Sequence, residues 1–206
     1  MDKHIIRPED VRTAGLICVE TLWPARDRNW QKNAAGLEWT CRFTLDHIVG
    51  AVTAYAGDLA VRRPEQVEVL RKANTDQSIN ELLELVEVGS AVLSDVCAAT
   101  PDGVRGYHPT GPSDWSGFAA MGCTEMLVHT DDICWAFQIE FNVDAELSQR
   151  ILDRLFPWAP SGGNPWQTLR WATGRGYLQG QESIGPDWSW HSRPLTEWYD
   201  SRDGAS

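Results

Sequence analysis

Residues 123–137 read CTEMLVHTDDICWAF, a run in which Met126, Leu127, Val128, Ile133, Cys134, Trp135 and Phe137 leave almost no polar face, yet which carries Glu125, His129, Asp131 and Asp132. A helix that is apolar nearly all round belongs in the middle of a core. An unpartnered carboxylate in such a place is costly or becomes protonated, so these groups are expected to have partners. Glu125 and His129 are four residues apart, about 400° of helical rotation, which leaves their side chains about 40° apart on one face.

Working outward, this helix should begin near Ser113 or Asp114, because PDGVRGYHPTGPSDWSG, residues 101–117, holds three Pro and four Gly and reads as a loop. Upstream, Ser78 with Glu81 forms a capping box, and Ile79, Leu82, Val86, Leu93 and Val96 recur at helical spacing until Thr100-Pro101. A longer stripe of Leu45, Ile48, Val52, Tyr55 and Leu59 predicts a helix from about Thr40 to Val61, with His47 beside it. Pro8 opens a further helix, with Val11, Gly15, Cys18 and Leu22 on one side and Trp23-Pro24 at its end. Downstream, Asp144 caps a helix carrying Leu147, Ile151 and Leu155. After Trp158 the pattern turns to Gly, Pro and Trp, with one short helix around Trp166 to Thr173; six of the eleven Trp lie after residue 155. Exposed, they would form a large apolar patch, so this segment is expected to cover the bundle. The chain therefore reads as all-α: an antiparallel bundle of four to five helices over residues 1–156 and a Trp-rich extension over 157–206.

The formal net charge of -11, with no cluster of Lys and Arg, argues against a nucleic-acid or anionic-membrane partner. MDKHIIRPED lacks the apolar stretch of a signal peptide, so a cytoplasmic location is expected. Cys18, Cys41, Cys97, Cys123 and Cys134 are an odd number without a CxxC pair, which points to small buried hydrophobes rather than a disulfide framework or a thiolate zinc site.

Glu125 and His129 on one helix and His47 on another can supply two His and one Glu to a divalent cation, leaving an open position suited to catalysis. A Glu–His hydrogen bond or a solvated helix face satisfies the same spacing. The motifs narrow the choice. Trp39, Thr40, Arg42, Thr44 and His47 fit a W-[ST]-x-R-x-T-x-x-H pattern, and Glu125, Leu127, Val128, His129, Thr130 and Asp132 fit E-x-L-V-H-T-x-D. In these two segments, and in LRWATGRGYLQG and DWSWHSRPLTEW, the chain resembles the DinB-like superfamily, in particular its mycothiol-dependent maleylpyruvate isomerase N-terminal branch of actinobacterial type.

That resemblance implies a helical bundle with a metal site of His47, Glu125 and His129. Zinc is the first choice of ion, with nickel, iron or manganese as alternatives. It also implies a low-molecular-weight thiol such as mycothiol, a small electrophilic substrate, and thiol transfer or isomerisation; homodimers are common among similar proteins. A hydrolase on the same scaffold and a non-catalytic binding bundle are the alternatives. Asp132, three residues from His129, can accept the second imidazole N–H or orient metal-bound water, or else act as a solvated acid or ion-pair partner. Thr44 and Thr130 lie near the site, and Thr of this kind tends to bond back within its own helix. Arg170 and Arg175 would meet an anionic substrate if the tail covers the site, and are otherwise surface cations. His108 lies on a loop that could reach the pocket mouth, though a surface loop His is the expectation; His191 is expected in the Trp-rich tail and His4 in the terminus.

Overall fold

The computed structural model describes residues 5–66 and 76–203, which form seven α-helices, two single-turn 3₁₀ helices at Trp23–Ala25 and Gly185–Asp187, and no strand. Helix α1 covers Pro8–Leu22, α2 Cys41–Val61, α3 Ile79–Ala99 and α4 Trp115–Phe137. The shorter α5, α6 and α7 cover Ala145–Leu155, Pro165–Ala172 and Leu195–Asp203. α1 opens on Pro8, which brings no N–H to its first turn, and α2, α3 and α4 each start where a side chain satisfies a first free N–H group. The Thr40 hydroxyl accepts from Phe43 N, Ser78 and Glu81 form the reciprocal capping box, and Asp114 accepts from Gly117 N. Asp144 and Asn164 do the same for α5 and α6.

α1 and α2 each lie against both α3 and α4, so the four long helices enclose one core. Val11, Cys18 and Leu22 of α1, Leu45, Ile48 and Leu59 of α2, and Leu82, Val86 and Leu93 of α3 are fully buried in it. α4 contributes the largest buried share, as expected of a helix without a polar face, and all five cysteines are buried and unpaired. Two ion pairs inside the protein tie in the outer helices: Arg150 of α5 forks onto Asp10 of α1 at 2.9 and 2.8 Å, and Arg154 reaches Asp114 at 2.9 Å.

The segment after residue 156 lies on the bundle. Trp166 and Trp171 are buried, and Trp188 and Trp190 pack against the core. His191 N donates to Leu155 O, and the Ser192 carbonyl accepts from Ser113 and Arg154. Two expectations need correction. The tail holds a second helix, α7, which has only a weak apolar stripe and therefore no periodic signal. His108 is no surface residue: it is 7% exposed, its ring flanked by Tyr55 and Trp190. His4 lies outside the described residues. No described helix is long and apolar enough to cross a membrane.

Candidate metal centre

The caps at Thr40 and Asp114 set where α2 and α4 begin, and the packing of the two helices turns His47, Glu125 and His129 toward one another. His47 Nε2 lies 3.1 Å from Glu125 Oε2, and His129 Nε2 lies 3.3 Å from the same oxygen. Among the described residues these three form a group whose ligand atoms all lie within 4.8 Å of one another. The other carboxylate oxygen, Oε1, accepts the Tyr55 hydroxyl at 2.9 Å.

The hydrogen bonding on the far side of His129 decides what this cluster can hold. His129 Nδ1 lies 2.9 Å from Asp132 Oδ2, and an ionised carboxylate only accepts, so Nδ1 carries a proton. In a neutral ring Nε2 then presents a lone pair to the Glu125 oxygen. Two lone pairs at that separation repel unless a proton or a cation lies between them. Nitrogen and oxygen ligands about 2.1 Å from a tetrahedral ion stand about 3.4 Å apart, and the observed separations are close to that. The donor set of two imidazoles and a carboxylate thus fits a zinc-like divalent ion with one position left for a ligand.

Charge follows from the same contacts. Burial alone would raise the Glu125 pKa, but hydrogen bonds from His129 and His47 hold it well below the usual carboxylate range. Burial would lower the His129 pKa, yet its bonds to Asp132 and Glu125 raise it overall. Asp132 is likewise held low, against burial, by His129 and Arg175.

Aromatic side chains wall the cluster. Trp39 packs on both imidazoles, with ring centroids 4.9 Å from His47 and 6.0 Å from His129. Together with Leu37, Val128, Trp188 and Trp190 it lines a cavity of about 290 Å³ that contains all three ligand residues. A second cavity of about 640 Å³ shares Leu37, Arg175 and Trp188 with the first, and its walls include Trp135 and Asp131. The Trp-rich tail therefore both fastens itself to the bundle and contributes walls to the site.

Of the residues singled out from the sequence, His47, Glu125, His129 and Asp132 meet. Asp132 is both the partner of the second imidazole nitrogen and an ion-pair partner, since Arg175 forks onto it at 2.8 Å through Nε and Nη2. Arg170 pairs with Asp131 at 2.8 Å, so neither arginine is an ordinary surface cation. Thr44 bonds back to Thr40 O at 3.0 Å, as expected, whereas Thr130 does not bond back: its fully buried hydroxyl lies against the Cys18 thiol of α1. His191 stays in the tail, beside the Trp198 ring.

Tyr55 was read only as part of the core stripe; its hydroxyl, unable to stay unpaired in an apolar face, was the signal for a polar partner. None of the five cysteines lines the cavity, and burial pushes Cys18, Cys97 and Cys134 up to about 12 and Cys41 to about 11. The chain thus brings no thiolate of its own. Comparison with protein-family models, with curated proteins and with solved structures found no match.

Proposed function

We propose that this chain is a metal-dependent enzyme of the DinB-like type, in which His47, Glu125 and His129 hold a divalent cation, zinc before nickel, iron or manganese. The reaction is transfer of a low-molecular-weight thiol of the mycothiol type to a small electrophile, or isomerisation through its reversible addition. The single observation that carries the reading is the convergence of Nε2, Oε2 and Nε2 from two helices on one point at the wall of a cavity. A cation there supplies Lewis acidity, which makes a bound thiol or water a stronger nucleophile at neutral pH.

The chain's own residues do the positioning. Asp132 keeps the proton of His129 on Nδ1, and Tyr55 holds Glu125 by Oε1 so that Oε2 faces the imidazoles. Leu37, Trp39, Trp188 and Trp190 surround the ligand atoms with apolar surface and restrict water. With no Cys lining the cavity, a thiol nucleophile has to arrive with a ligand. Two adjoining chambers, of about 290 and 640 Å³, offer room for a thiol and for a second reactant, which favours a two-substrate reaction over hydrolysis.

Elemental analysis of the purified protein beside a variant with His47, Glu125 and His129 all replaced by Ala tests the site. About one transition-metal ion per chain, absent from the variant, supports it. Consumption of added thiol in the presence of an electrophile then separates transfer from hydrolysis, in which thiol is spared. Protein that carries no metal and takes none up overturns the reading in favour of a bundle that binds a ligand without turnover.

A further inference from the structure

The C-terminal segment reaches the ligand residues through a chain of polar contacts. Arg175 Nε and Nη2 each donate to Asp132 at 2.8 Å, one to each carboxylate oxygen, and Nη1 donates to Thr173 O at 2.8 Å. All three guanidinium nitrogens are therefore engaged and the fork is fixed in its plane. Oδ2 of Asp132, one of the two clamped oxygens, is the atom that faces His129 Nδ1 at 2.9 Å.

The backbone around Arg175 is shaped for this contact. Gly174 and Gly176 on either side have φ of 73° and 81°, a region that other residues rarely adopt. At Gly174 a Cβ would also lie 3.0 Å from Trp188 Cδ1, in the stretch that walls the ligand cavity. Asp132 is 3% exposed and the Arg175 side chain 16%, so the pair is screened from water, where a forked, charge-assisted contact is strongest.

The geometry points to Arg175 as a positioning residue for the metal centre: by clamping Asp132 it fixes the proton and the tilt of His129, so that affinity for the cation depends on the docked segment 173–190. This rests on the metal reading above and adds to it a link between tail and centre. Arg170 makes the natural comparison, because it grips the neighbouring Asp131 at 2.8 Å, whereas it is Asp132 that faces His129 Nδ1.

The test uses the full chain with zinc and cobalt as probes, comparing wild type, Arg175→Met, Arg175→Lys, Asp132→Asn, the Arg175→Met/Asp132→Asn double variant, Arg170→Met and His47→Ala. Circular dichroism and thermal melting establish that each variant is folded, and competition with a chelator gives zinc affinity. The absorption spectrum of the cobalt form reports ligand geometry. Arg175→Met is expected to weaken zinc binding roughly 10- to 100-fold and to alter the cobalt spectrum. Arg175→Lys should not restore either, because an ammonium cannot reproduce the fork. The double variant should be no weaker than Asp132→Asn alone, and Arg170→Met should bind as wild type does.

Wild-type affinity and an unchanged cobalt spectrum in Arg175→Met, with zinc binding still lost in His47→Ala, overturn the positioning role and leave the metal reading intact. So does an Arg170→Met loss as large as that of Arg175→Met, which would make both arginines mere fasteners of the tail. Wild type that binds neither ion overturns both.

Discussion

The Tyr55 hydroxyl donates to Oε1 of Glu125 at 2.9 Å across 70 residues of chain, leaving Oε2 to face both imidazoles. Tyr55→Phe removes that donor while keeping the ring that packs on Phe118. Metal affinity is expected to fall roughly tenfold or more, as on loss of other outer partners of metal ligands. Chelator competition checks it; unchanged affinity would mean that the two imidazoles alone orient the carboxylate.

Replacing His129 by Ala should abolish stoichiometric metal and also destabilise the metal-free protein. Glu125 loses one of the groups that hold its carboxyl low, and removing one partner of a buried charge costs about 3 kcal/mol or more. The double replacement His129→Ala/Glu125→Leu should recover much of that stability without recovering metal. Denaturant melts of the metal-free proteins, alongside elemental analysis, separate the two effects.

Stability should carry a signature of the Asp114–Arg154 pair at acid pH. Burial draws the Asp114 carboxyl upward, but Arg154, Ser116 and the Gly117 N–H outweigh it and hold the group below its ordinary value. A group whose pKa is depressed on folding contributes stability above its unfolded value, near 4, and loses it as the pH falls through the folded value. Asp114→Asn keeps a good helix cap, so it should cost about 3 kcal/mol at neutral pH and progressively less below about pH 4. Melts from pH 7 to pH 2 measure the difference from wild type; a pH-independent difference contradicts it.

At Gly15 α1 packs directly against Ser90 of α3. A Cβ there would come within 2.5 Å of Ser90 Cβ, and Ser90 is 2% exposed. Gly15→Ala is expected to cost about 1–3 kcal/mol through overpacking, despite the better helix propensity of Ala. A thermal melt above that of wild type would show that the two helices can part at little cost.

The helix boundaries were legible because their causes are local. Pro8, the Ser78–Glu81 box and the acids at 114 and 144 act within a single turn, and all of them stand at observed helix starts. The apolar stripes of α1 to α5 likewise marked which faces became core. α7 is not legible because its stripe is weak, nor is the burial of His108, because a loop motif carries no information about what later folds over it.

The sequence by itself determined an all-α chain, the limits of its main helices, and a Glu and a His on one face of the most buried of them. Only the tertiary structure decided which groups meet. His47 and Glu125 are separated by 78 residues, and Arg175 and Asp132 by 43. Periodicity gives the face of a helix on which a residue lies, whereas a contact at 3 Å depends on how that helix is rotated against its neighbours, and that is settled by packing over the whole core.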